Sequence, residues 1–226
     1  MNVNGTDPNL TELVFLLDRS GTMGGMESDT IGGFNSVLAK HRAAPGRAFV
    51  STVLFDHETL VLHDRVDIAD VKPLTHNDYE VRGSTALLDA VAGSVRHIDQ
   101  VQRYMPVGYK AGHVIFVIVT DGYENASRHA TRADVRKAIR EHEAQGWEFI
   151  FLGANIDAEE QAGELGIAGD RAVTYVCDCE GTQAMYEAVA AFSCSQRLVP
   201  TGAPRQDASW KASVERDRAR RGHHSR

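Results

Sequence analysis

Six short apolar runs punctuate the chain, at 13–17, 49–55, 60–66, 114–120, 147–152 and 172–176, each bounded by polar or glycine-containing stretches. The first and fourth are apolar without alternation, which predicts strands buried on both faces, as in the middle of a parallel sheet. The run at 49–55 is rich in β-branched and aromatic residues. The polar turn Asp56-His57-Glu58-Thr59 then predicts that 60–66 returns as an antiparallel edge strand. Apolar residues at helical spacing fill the intervals: 27–42, a helix opening at Gly83-Ser84-Thr85 and running to about 101, 131–145 closed by Gly146, 157–165, and 182–192. Within the first helix, Gly32-Gly33 lowers helix propensity and marks a close approach to the sheet. Strands alternating with helices predict an α/β fold: a Rossmann-like, doubly wound, mostly parallel sheet of six strands with one antiparallel edge strand and helices on both faces.

Composition adds limits. An apolar share of 42% and a charged share of 24% over 226 residues suffice for one large α/β domain with a sizeable core. The net charge of −7 argues against general nucleic-acid binding by the body of the chain. From 205 to 226, however, seven basic residues stand against three acidic ones, and Gly202, Pro204 and Ser209 precede the arginines. The chain therefore divides into a flexible N-terminus at 1–10, a folded domain at 11–196 and a disordered basic tail at 197–226. No secretory leader and no apolar run of about 20 residues is present, so the expectation is a cytoplasmic protein without membrane contact. The three cysteines, Cys177, Cys179 and Cys194, are an odd count that excludes an even disulfide framework and fits a reducing compartment. They read as small, partly buried thiols.

The candidate chemistry lies where the apolar runs stop. Asp18 ends the first, and Ser20 and Thr22 follow at alternate positions around Gly21. Asp121-Gly122 ends the fourth, and Thr85 opens a helix on a loop that can reach the same rim. In a doubly wound sheet the ligand crevice lies outside the carboxyl ends of the strands, where the winding reverses. Two carboxylates and three hydroxyls are all hard oxygen donors, suited to Mg²⁺ or Mn²⁺. The same residue types also serve as helix caps, so the motif alone leaves both uses open.

The Asp-x-Ser-Gly-x-Met turn at 18–23, the Gly-Ser-Thr-Ala-Leu-x-Asp-Ala helix start at 83–90 and the Thr-Asp-Gly strand end at 120–122 occur in an order that resembles von Willebrand factor type A (vWA) domains. The stretches 28–35 and 147–157 are more narrowly similar to small stand-alone bacterial and phage proteins of that family. The resemblance implies a metal-ion-dependent adhesion site. Ser20, Thr22 and Thr85 would supply hydroxyls, Asp18 and Asp121 would act through waters or as charges close behind, and an Asp or Glu of a partner protein would complete the shell. Thr22 stands where the family more usually has Ser. In some members the last helix shifts on binding; here that would be 182–192. His57, Tyr123, Glu124, Asn125 and Asn155 are rim candidates for partner contact, with Asn125 and Asp157 equally suited to capping the helices that follow. Asp89 is expected to hold its loop. Two alternatives stay open: a metal-dependent hydrolase with His57 as base, and nucleic-acid association through the tail, where nucleic acid is the less expected partner. The Asp18 motif lacks a second carboxylate at position 20, and the chain has no Gly-x-x-x-x-Gly-Lys-Ser/Thr loop, so a non-enzymatic binding module is the primary expectation.

Overall fold

A computed structural model describes residues 5–200 and 207–222. Six strands, β1 (Thr6–Asp18), β2 (Arg47–Phe55), β3 (Thr59–Asp67), β4 (Lys110–Thr120), β5 (Glu148–Ala154) and β6 (Ala172–Tyr175), form one sheet in the order β3-β2-β1-β4-β5-β6. All neighbours run parallel except β2 and β3. The described helices are α1 (Glu27–Ala43), α2 (Leu87–Tyr104), α3 (Arg132–Glu143), α4 (Ala158–Leu165), α5 (Cys179–Gln196) and α6 (Ala212–Gly222).

Strand alternation splits the core into two layers. Leu13, Phe15 and Leu17 of β1 and Ile115, Val117 and Val119 of β4 face α1 and α5. Val14 and Leu16 with Phe116 and Ile118 face α2, α3 and α4. Both β1 and β4 are buried on the two faces, which is why their sequences show no polar alternation. Phe15 meets Phe34 of α1 edge to face, with ring centroids 5.1 Å apart. The order reverses between β1 and β4, and their register, with Leu17 opposite Val119, puts Asp18 level with Thr120 and Asp121 one residue further along.

Several details differ from expectation. The N-terminal stretch expected to be flexible is strand from Thr6 onward, because Thr6 and Asp7 pair with Lys110 and Ala111 and Leu10 is buried. Gly33 marks an approach to a helix and not to the sheet: a Cβ there would lie 1.9 Å from Cδ2 of Tyr186 on α5. Cys179 is exposed, whereas Cys177 and Cys194 are partly buried.

The largest difference is at the C-terminus. Residues 207–222, read as part of a disordered tail, form a 3₁₀ turn and α6 packed on the domain, so 182–192 belongs to the penultimate helix. Few apolar residues suffice because they are well placed: Val214 is buried, and Trp210 stacks on Phe192 at 5.1 Å. The Lys211 ammonium donates to Glu159 at 2.7 Å and to the carbonyls of Gly169 and Ala172. Arg220 pairs with Glu180, and Arg221 with Asp178 and Asp217. Residues 201–206 and 223–226 of the expected tail lie outside the described residues.

Candidate metal centre

β1 delivers Asp18 to the carboxyl edge already braced. Its Oδ1 accepts from the Ser20 amide at 2.7 Å and its Oδ2 from the Thr120 hydroxyl at 2.6 Å. The Tyr79 hydroxyl donates to its backbone carbonyl. The chain then turns through a 3₁₀ turn, Gly21–Met23, that sets the Ser20 and Thr22 hydroxyls 3.0 Å apart. Thr85 donates to Ser20 Oγ at 2.9 Å from the other side, so three hydroxyls from two distant segments meet. A Cβ on Gly122 would lie 2.9 Å from both threonine oxygens, so only glycine leaves the face beside them open.

Asp121 completes the group. Its Oδ1 is buried and finds no hydrogen-bond partner among the described residues. Burial pushes its carboxyl above the usual range, against the opposing effect of the Thr22 hydroxyl. Asp18 is pushed up to about 6, chiefly by burial, against hydrogen bonds from Thr120 and Ser20 and with the Asp121 charge adding to the rise. Two desolvated carboxylates beside three neutral hydroxyls leave a deficit of positive charge at this point. A hard divalent cation fits that donor set, and the orphaned Asp121 oxygen is the feature that capping alone leaves without a purpose.

The rim candidates divide. Glu124 and Asn125 are turned to internal use: Asn125 Oδ1 accepts from the Thr85 amide at 2.9 Å, and the Asn125 amide donates to the Thr85 carbonyl at 3.0 Å. Glu124 accepts from the amides of Leu88, Ala126 and Ser127 and from the Ser127 hydroxyl. Asp89 accepts from the amides of Arg128, His129 and Ala130 and so holds that loop. Neither Glu124 nor Asn125 caps a following helix; together they cap the start of α2 from a separate loop. Asp157 does cap α4, accepting from the Glu160 amide at 3.0 Å. Tyr123 is exposed, as is Asn155, which holds a left-handed backbone (φ 54°) and bonds Cys177. His57 packs on Gly83 with Nδ1 3.1 Å from Asp56 Oδ1.

Asp56, His57 and Glu58 also bring three potential ligand atoms within 4.8 Å of one another. Two guanidiniums already serve that cluster, Arg19 and Arg82 each standing 2.9 Å from Asp56 Oδ2. A cation there would have to displace them, so the hydroxyl group around Ser20 is the better metal site.

No family model matches the chain, and no curated protein matches it in sequence. Solved structures do match in fold. The vWF domain of the type V pili tip protein Mfa5 from Porphyromonas gingivalis aligns with a TM-score of 0.60 at 11% identity, over 87% of this chain and 97% of that one. Proximal thread matrix protein 1 from the mussel byssus, in a structure with a zinc-occupied MIDAS motif, aligns with a TM-score of 0.57 at 12% identity, over 84% of this chain and 47% of that one. A von Willebrand factor type A protein from Catenulispora acidiphila gives 0.54 at 15% identity, over 84% and 43%. The chain thus has the fold of a vWA domain, and it spans about half the length of the byssus and Catenulispora chains.

Proposed function

We propose that the chain is a divalent-metal-dependent protein-binding module. Ser20, Thr22 and Thr85 would hold Mg²⁺ or Mn²⁺ through their hydroxyls, with Asp18 and Asp121 as the charges close behind. The observation that carries this reading is the convergence of three hydroxyls beside Asp121, whose buried Oδ1 lacks a hydrogen-bond partner among the described residues. When bound, the metal would supply a strong, incompletely neutralised positive charge at the open side of the rim, able to take a carboxylate oxygen. The chain's own residues keep that side open through Gly122, hold the Thr85 backbone through Asn125 and hold the Asp18 carboxylate through Thr120. An Asp or Glu of a protein partner is the ligand that charge selects, and exposed Tyr123 is placed to contact the same partner.

Binding rather than catalysis accords with a donor set of carboxylates and hydroxyls that pairs no nucleophile with an oriented base. An intracellular, reducing setting accords with three free cysteines, and no described helix is long and apolar enough to cross a membrane. Nucleic-acid association is disfavoured by the ion pairs that occupy Arg220 and Arg221.

Calorimetric titration of Mg²⁺ and Mn²⁺ tests the reading, with and without a saturating small carboxylate such as glutarate. The expected result is binding to the wild type, tightened by the carboxylate through linkage, and absent from a folded Asp18→Ala/Asp121→Ala variant. No binding under either condition would remove the metal centre. Equal affinity under both would remove the partner carboxylate.

A further inference from the structure

The ion-pair cluster at Asp56 lies between the segments that carry the hydroxyls. Asp56 follows β2, and its side chain is fully buried. Oδ2 stands 2.9 Å from Nε of Arg19, next in sequence to Ser20, and 2.9 Å from Nε of Arg82, three residues before Thr85. Oδ1 accepts from the Glu58 amide at 2.7 Å, and Glu58 holds the far end of Arg82 at 2.8 Å. The backbone repeats the connection. The Asp56 carbonyl accepts from the Ala86 amide at 2.8 Å, the Arg82 amide donates to the Arg19 carbonyl at 2.8 Å, and the Gly21 amide donates to the Gly83 carbonyl at 3.0 Å.

We propose that Asp56 is a positioning residue for the metal centre, clamping the Arg19–Thr22 and Arg82–Ala86 segments together through two guanidiniums so that the Ser20 and Thr85 hydroxyls keep their spacing. The proposal rests on the metal-binding reading above. A carboxylate is required because it is the one charge that lets two cationic side chains converge; a neutral residue would leave Arg19, itself buried, without a counter-charge. Arg82 is the exposed arm of the clamp, with about half of its side chain in solvent. Removing Arg82 leaves buried Asp56 its second counter-charge in Arg19, so this variant separates positioning from stability.

The experiment measures Mn²⁺ affinity by calorimetry and the thermal midpoint in EDTA for wild type, Arg82→Ala, Asp56→Asn and a remote control, Arg103→Ala, which breaks an exposed pair with Asp99. Arg82→Ala is expected to bind Mn²⁺ about 10-fold more weakly with an unchanged midpoint in EDTA. Asp56→Asn is expected to lose more affinity and some stability, and Arg103→Ala to match wild type. Wild-type affinity in both Arg82→Ala and Asp56→Asn would overturn the positioning role, as would an affinity loss that only tracks a fall in the EDTA midpoint. Absence of Mn²⁺ binding to the wild type is a different result: it removes the metal centre itself, and the role of Asp56 with it.

Discussion

Gly122 follows Asp121 at the end of β4, where a side chain would run into Thr22 and Thr85 at 2.9 Å. Gly122→Ala should therefore abolish Mg²⁺ binding while leaving the circular dichroism spectrum and thermal midpoint within a few degrees of wild type. Titration of the purified variant checks this, and wild-type affinity would show that the open face is not where the metal sits. The five proposed metal residues stand out in the sequence because each lies at the end of an apolar run or the start of a helix. Their supports do not. Thr120 is only the last residue of a strand until its hydroxyl is seen on Asp18, and Tyr79 sits in an irregular stretch with no pattern to mark it.

His41 carries a second prediction about single side chains. It is buried, with Nε2 2.8 Å from the Ser193 hydroxyl and Nδ1 3.3 Å from an Arg197 guanidinium nitrogen. Burial, reinforced by the Arg197 charge, lowers its pKa from 6.5 to about 3. The folded state thus favours neutral His41, so its contribution to stability is complete above pH 6.5 and is lost as pH falls towards 3, at up to roughly 1.4 kcal/mol per unit. Glu12 works in the opposite direction. Burial, partly offset by Arg65, raises it to about 7, so its contribution declines as pH rises from 4.5 through 7. Urea denaturation from pH 4.5 to 7.5 should show a flatter profile for His41→Gln than for wild type on the acid side, and parallel profiles would exclude His41 as the source.

Helix α1 packs against α5 through the missing side chain of Gly33. The Tyr186 ring fills the place a Cβ would take, and Tyr186 is itself buried, so it has little room to move. Gly33→Ala should cost about 1–3 kcal/mol in urea unfolding, whereas Gly32→Ala, with open space at its Cβ, should be neutral or slightly stabilising. The glycine pair is legible in the sequence as a helix oddity; its partner is not, since α5 lies about 150 residues further along the chain. The loop from Tyr123 to Ala130 carries the same lesson. Its polar residues read as an exposed rim, but the uncapped start of α2 needs acceptors, and Glu124 and Asn125 meet that need from the loop, while Asp89 of α2 accepts from the loop's own amides in return.

At the level of the whole molecule, α6 closes the layer that holds α1 and α5. Ending the chain after residue 200 would uncover Phe192, Arg171 and the Trp210 contact, a loss of several kcal/mol by the usual scale for buried side chains. The expected outcome is a thermal midpoint lower by roughly 10 °C, measurable by differential scanning fluorimetry; an unchanged midpoint would show that α6 adds nothing to the domain. Its place could not be read in advance because a short arginine-rich helix has too weak an apolar stripe to announce itself. Val214 and Trp210 gain meaning only once β6 and α5 offer a surface to meet.

Local pattern was enough for the order of strands and helices and the doubly wound class, and it singled out five oxygen-bearing residues at two strand ends and a helix start, because burial of a parallel sheet leaves long apolar runs that stop abruptly at its carboxyl edge. Long-range packing settled the rest: that Ser20 and Thr85 touch, that Asp121 keeps an oxygen without a partner, that Asp56 joins two arginines, and that the tail is a helix. Those features depend on contacts between segments tens to hundreds of residues apart. Such contacts leave no periodicity in the chain, only side chains whose partners become known when the sheet brings them together.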